Sequence, residues 1–179
     1  MNRLICGVLA ITGLTSCASV AAPTSGPAST PLTAASLKPP LDTLAFYVGS
    51  WHCKGTFYPT KEEPGETKWE ATLTVEPELG GTWLSVKMHG PGESHSIEHK
   101  GYDATTKKWV HVAVTSSGGW LLVSSTGWRG PAMVWAPHDP ADKTRATFTK
   151  LSETSYSHVV TYDTGKGVEK DWEKVCTKM

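Results

Sequence analysis

From Phe46 onward, short runs rich in Trp, Val, Thr and Tyr alternate with polar, turn-forming clusters every 8 to 12 residues. The clusters include Glu63-Pro64-Gly65, Gly80-Gly81, Gly90-Pro91-Gly92, Asp103 to Thr106, Ser117-Gly118-Gly119, Arg129-Gly130-Pro131 and Thr164-Gly165-Lys166-Gly167. β-branched and aromatic residues suit a pleated, half-buried surface, and Gly, Pro and Asp interrupt it. The pattern predicts strands at 50–58, 67–76, 82–89, 94–102, 108–115, 120–126, 132–136, 144–151, 155–162 and 168–177. The segment Leu41 to Val48 alone reads as helical, a turn or two before the first strand. Ten consecutive short strands predict an all-β domain, a closed or nearly closed up-and-down antiparallel barrel, because closure removes exposed edges.

One hairpin can be read in register. Turning at Ala104-Thr105-Thr106 places His99 opposite His111, Gly101 opposite Trp109 and Ile97 opposite Ala113. Glu98 and Lys100 then share the other face, and charged side chains belong in water. This reading points His95, Ile97, His99, Trp109 and His111 into the barrel, where with Trp51 they are the candidate ligand-binding residues. A slip of one residue would turn every one of them around.

The N-terminal region carries no such pattern. Arg3 precedes an apolar run, Leu4 to Leu14, of 11 residues. That is too short to span a membrane and typical of a signal peptide. It ends in Leu14-Thr15-Ser16-Cys17, which resembles a bacterial lipobox with Cys17 as the acylated residue. Ordinary cleavage near Ser19-Val20-Ala21 is the alternative. Residues 18–40 hold five Pro among Ala, Ser and Thr and read as a disordered tether, leaving 41–179 as the folded domain. Ala18 after the Cys, by resemblance to lipoproteins of diderm bacteria, favours the outer membrane facing the periplasm. A soluble periplasmic or secreted protein is the alternative.

Export changes the meaning of the four cysteines. Cys6 leaves with the signal and Cys17 is used for lipid. Cys53 and Cys176 remain, and in an oxidising compartment they are expected to form a disulfide. Free thiols or a metal site compete with that reading. Because Cys53 is on the first strand and Cys176 on the last, a bridge would join the two ends of the ring, with a stabilisation on the order of 4 kcal/mol.

The chain has 17 basic and 17 acidic residues. A neutral, exported chain is no nucleic-acid binder. Eight Trp supply a large aromatic core.

Phe46 to Phe57, FYVGSWHCKGTF, has a Gly-x-Trp at the start of the first strand. This resembles the opening of lipocalin-like, calycin-type barrels, and GSWHCKG is distantly similar to the opening of nitrobindin-like proteins, with Cys53 in place of a Gly. Several segments together resemble a bacterial lipocalin-like family known as domain of unknown function fifteen-seventy-nine. They are VGSW, Glu78 to Leu84, Gly101-Tyr102-Asp103, Gly127 to Gly130 and Trp172 to Lys178. The resemblance spans residues 46–178 and implies a calycin barrel without implying an activity. Trp51, by the same resemblance, is mainly a packing residue near the closed end.

Cofactor chemistry finds little support. Nitrobindin-like proteins hold haem through a His on the last strand, and here that strand has none. His158, one strand earlier, is the nearest substitute. His95 and His99 are about 13 Å apart on a strand and cannot share one ion. No Gly-x-Ser-x-Gly elbow, paired carboxylates or phosphate-cradling loop is present. The sequence therefore calls for no cofactor, no metal and no catalytic residue. It calls for a lipid-anchored barrel holding a small hydrophobic or amphipathic ligand. A filled structural barrel and a haem-binding or enzymatic barrel using lumenal His are the alternatives.

Overall fold

The computed structural model of the chain describes residues 32–60, 63–92 and 94–179. The expected signal peptide, Cys17 and the tether as far as residue 31 lie outside the described residues.

Among the described residues eleven strands follow one another: β1 (Gly49–Phe57), β2 (Thr67–Glu78), β3 (Trp83–His89), β4 (His95–Asp103), β5 (Lys108–Thr115), β6 (Trp120–Ser125), β7 (Trp128–Arg129), β8 (Ala132–Pro137), β9 (Arg145–Lys150), β10 (Ser155–Asp163) and β11 (Val168–Lys178). All are antiparallel to their neighbours, in the order β6-β5-β4-β3-β2-β1-β11-β10-β9-β8-β7, and β6 also pairs with β8. Ten of them close a barrel, with the two-residue β7 as an addition at the β6–β8 join. The predicted strands correspond to these ten within a residue or two.

The first and last strands are neighbours over seven residue pairs, from Trp51↔Lys178 to Phe57↔Trp172. Cys53 and Cys176 sit directly opposite each other, Cα atoms 4.0 Å apart, and form the expected disulfide. The thinnest part of the ring is elsewhere. β6 and β8 share only Val123↔Pro137 and Ser124↔Ala136. Pro137 has no N–H for a ladder, which fits a strand end at this join.

One end of the barrel is closed. The 3₁₀ helix Leu41–Tyr47 buries Leu41, Leu44 and Tyr47. Their spacing of three matches a helix with three residues per turn, so all three face inward. Behind them Trp51 is fully buried and its indole N–H donates to the Tyr47 carbonyl at 2.8 Å. Tyr47, Trp51, Phe148 and Tyr156 pack ring against ring, with centroids 4.8–6.1 Å apart.

The ordered domain begins before Leu41, which corrects the C-terminal boundary of the expected tether. Leu37 belongs to the core, and the Lys38 N–H donates to the Gly81 carbonyl at 3.0 Å. Gly81 is required there: its φ is +84°, and a Cβ would run into the Ser36 carbonyl.

The β4–β5 hairpin corrects the predicted register. The observed pairs are Ile97↔Val114, His99↔Val112, Lys100↔His111 and Tyr102↔Trp109, one residue away from the expectation. The turn contains four residues, not three. Asp103 accepts from the Thr105 N–H at 2.9 Å and from the Thr106 hydroxyl at 2.6 Å, and Lys107 adopts a left-handed φ of 55°. The extra turn residue reverses the β4 faces relative to the prediction. Gly101 faces outward beneath the Trp83 ring, where a Cβ would collide with the indole.

Candidate functional site

Above the aromatic plug the barrel is open. A cavity of about 420 Å³ lies in its lumen. Phe57, Trp69, Pro91 and Trp120 stand around its entrance, and Leu121, Ala146, Val160 and Trp172 form its walls. Lower down, Met88, Val123, Glu98, His111, His158 and Lys174 complete the lining. The volume is within the usual range for small-molecule sites, roughly 300–1,000 Å³.

Strand parity explains these positions. The Cys53–Cys176 bridge lies inside the barrel, so residues two and four before Cys176 also point inward. Those residues are Lys174 and Trp172. On β1, Gly55 follows Cys53 on the inner face, and its missing side chain is filled by the Trp69 indole. A Cβ there would fall within the Trp69 ring. Trp69 in turn stacks near Phe57 at 5.5 Å and Trp172 at 6.4 Å, which builds an aromatic collar.

The cavity floor is charged. Glu98 Oε2 accepts from Lys100 Nζ at 2.6 Å and lies 3.0 Å from His111 Nε2. Ser96 Oγ donates to Glu98 Oε1 at 3.4 Å. Lys100 is 6% exposed and Lys174 5% exposed. Burial alone would raise the Glu98 carboxyl. The Lys100 ammonium, the His111 hydrogen bond and the Lys174 charge outweigh it and hold Glu98 well below the usual carboxylate range. Burial, reinforced by Lys100, pushes His111 down despite the Glu98 bond. The neutral ring must then carry its proton on Nε2 to donate to Glu98. Burial and the nearby Lys174 and Lys100 charges push His158 well down. Burial also brings the Lys174 ammonium down to about 8, with Glu98 opposing and Lys100 adding to the effect.

Among the described residues, two polar atoms on the lining are buried without a hydrogen-bond partner: His158 Nε2 and Trp69 Nε1. Among the described residues, Lys174 Nζ has only the Met88 thioether at 3.9 Å and the Trp172 ring, whose centroid is 5.7 Å away. Among the described residues no carboxylate lies within ion-pair distance of it.

Of the six residues predicted to line the lumen, His111 alone does so. His95, Ile97 and His99 point outward, with Ile97 49% exposed and His99 3.3 Å from Glu78. His95 instead meets His89 at 3.2 Å on the outer face. Trp109 faces inward but packs against Tyr102 in the core, and Trp51 belongs to the plug. The reading missed Trp69, Glu98, Lys100, His158, Trp172 and Lys174. The rule that sends charges to water fails here because Glu98 and Lys100 are buried as an ion pair and His111 hydrogen-bonds to the same carboxylate. Among the described residues no group of three or more metal-ligating side chains comes together.

Comparison with known proteins bears on the fold. No family model matches the chain, and no curated protein matches it. Among solved structures, the crystal structure of Rv2717c from M. tuberculosis is similar, with a TM-score of 0.59 and 14% sequence identity. The match covers 80% of this chain and 99% of that one. At that identity the likeness shows a shared fold: the chain is a closed ten-stranded antiparallel β-barrel.

Proposed function

We propose that this protein is an exported, lipid-anchored barrel that holds a small hydrophobic or amphipathic molecule in its lumen. The observation that carries the ligand reading is the open cavity of about 420 Å³, with aromatic walls above buried polar groups. A filled barrel acting only through its surface would have no reason to keep Lys174 and His158 on the wall of an open space. Unpartnered polar atoms there cost stability, and a ligand would repay that cost in contacts. Export and the lipid anchor rest on the Leu4–Leu14 run and Cys17 in the sequence.

Binding of the neutral fluorophore N-phenyl-1-naphthylamine tests the ligand reading. Its emission should rise and shift to the blue on saturable binding at one site. A Val160→Trp variant, which fills the cavity wall, should abolish the signal while keeping a cooperative melt. A signal unchanged in that variant would place the fluorophore elsewhere and overturn the reading. For the anchor, Cys17→Ser should end labelling by a palmitate analogue in the producing cells, and persistent labelling would refute it.

A haem reading turns on His158, because its Nε2 is buried at the cavity without a partner. The His158 ring already meets Trp172 edge-to-face at 5.0 Å and Phe148 at 6.3 Å. A Soret band on adding haemin, lost in His158→Ala, would favour that reading over the first.

A further inference from the structure

The charges on the cavity floor do not balance. Glu98 is the one carboxylate facing the lumen among its described lining residues, and Lys100 and Lys174 are two ammonium groups. Lys100 and His111 both bind Glu98 Oε2, at 2.6 and 3.0 Å, and Ser96 reaches Oε1. Glu98 is thereby committed. Lys174 faces the cavity with a thioether and an indole ring as its neighbours. Directly across the β10–β11 ladder stands His158, paired with Lys174 in register, whose Nε2 has no partner. One surplus positive charge and one unused ring nitrogen therefore lie side by side beneath an aromatic shaft.

We infer that the lumen takes an amphipathic monoanion, with a carboxylate headgroup on Lys174 Nζ beside His158 and an apolar body between Trp69, Trp120 and Trp172. This rests on the proposed reading of the cavity as a ligand chamber and names its ligand class. A single surplus charge matches a carboxylate better than a phosphate monoester, which carries nearly two charges at neutral pH. A small inorganic anion would neutralise Lys174 but leave the aromatic shaft empty. A neutral lipid would fill the shaft but leave a buried ammonium without a counterion, which is the costly arrangement. An amphipathic carboxylate satisfies both halves of the site. The neutral His158 would donate to the second carboxylate oxygen from Nε2 in the tautomer that places its proton there.

The test is displacement of N-phenyl-1-naphthylamine from the purified protein by three twelve-carbon compounds that differ at the head: dodecanoate, dodecan-1-ol and dodecyltrimethylammonium. Dodecanoate should compete roughly 10–100-fold better than the alcohol, the range expected for a charge-assisted hydrogen bond in a buried site. The cation should compete worst, and acetate at the same concentration should not compete. In Lys174→Met the preference for dodecanoate over the alcohol should vanish, while dodecan-1-ol still binds.

A second measurement needs no variant. The other titratable groups around Lys174 stand off neutral pH: Glu98 is held low by Lys100, His111 and Lys174, burial keeps His111 and His158 low, and burial pushes Tyr47 and Tyr156 up. Lys100 Nζ lies 2.6 Å from Glu98 Oε2. Dodecanoate affinity should thus fall as pH rises from 7 to 9.5, with the alcohol unaffected. Equal displacement by dodecanoate and dodecan-1-ol would overturn the anion inference while leaving the chamber intact. Failure of the fluorophore and of all three compounds to bind would overturn the chamber reading and the inference together.

Discussion

Lys174 should destabilise the protein that carries it. Its ammonium is buried, and its affinity for a proton falls from an ordinary 10.5 to about 8. Each tenfold change in proton affinity corresponds to about 1.4 kcal/mol, so folding with Lys174 charged costs about 3 kcal/mol near neutral pH. The sign follows from proton counting. Below pH 8 both the folded and unfolded chains hold the proton, and the full cost is felt. Between pH 8 and about 10.5 the folded chain has released it and the unfolded chain has not, so the cost is progressively relieved. Lys174→Met keeps an unbranched side chain, one heavy atom shorter, that can pack against Met88 and Trp172, and removes the charge. At pH 7, without ligand and with the disulfide intact, it should raise unfolding free energy by about 2–3 kcal/mol. For a domain near 150 residues that is roughly 5–10 °C in Tm. Urea denaturation of both proteins from pH 7 to 9.5 measures the effect. The gap should be widest at pH 7 and narrow above pH 8. A variant less stable than the wild type at pH 7, or a gap indifferent to pH, would refute the account of Lys174 as a charge kept for binding.

Acid should weaken the fold in two stages: first below about pH 6.5, where unfolded His takes up protons that buried His111 and His158 refuse, and again below about pH 4.3, where unfolded carboxylates protonate before Glu98 does. A urea midpoint constant from pH 7 to 5.5 would contradict the first stage. Gly55→Ala should push Trp69 off its seat, costing about 1–3 kcal/mol as an overpacked core site and weakening fluorophore binding; a normal melt and normal binding would show that Trp69 does not rest on Gly55. Cys53→Ser should lower stability by about 2–5 kcal/mol without unfolding the barrel, and equal melting of the wild type with and without reductant would count against the bridge.

Strand positions and ring closure were legible in the sequence because turn clusters recur at strand-length intervals and Cys53 and Cys176 mark the first and last strands. The site was much less legible. A four-residue turn held by Asp103 and Lys107 looks, in sequence, like a three-residue one, and the difference turned His95, Ile97 and His99 to the outside and Lys100 and Glu98 to the inside. Transfer energies favour the predicted arrangement for each charge taken alone. The observed arrangement works because Glu98 binds Lys100 and His111 together, a property of three residues on two strands that no single position reveals. A disulfide inside the ring places Lys174 and Trp172 on the lumenal face by parity alone. Trp69 could be reached similarly, through the small residue Gly55 opposite it.

The chamber and its headgroup site are tested most directly by the crystal structure of the protein saturated with 12-bromododecanoic acid. The account predicts one anomalous bromine peak among Trp69, Trp120 and Trp172, and carboxylate density within hydrogen-bonding distance of Lys174 Nζ. Bromine on the outer face, or an empty lumen at saturating ligand, would contradict it.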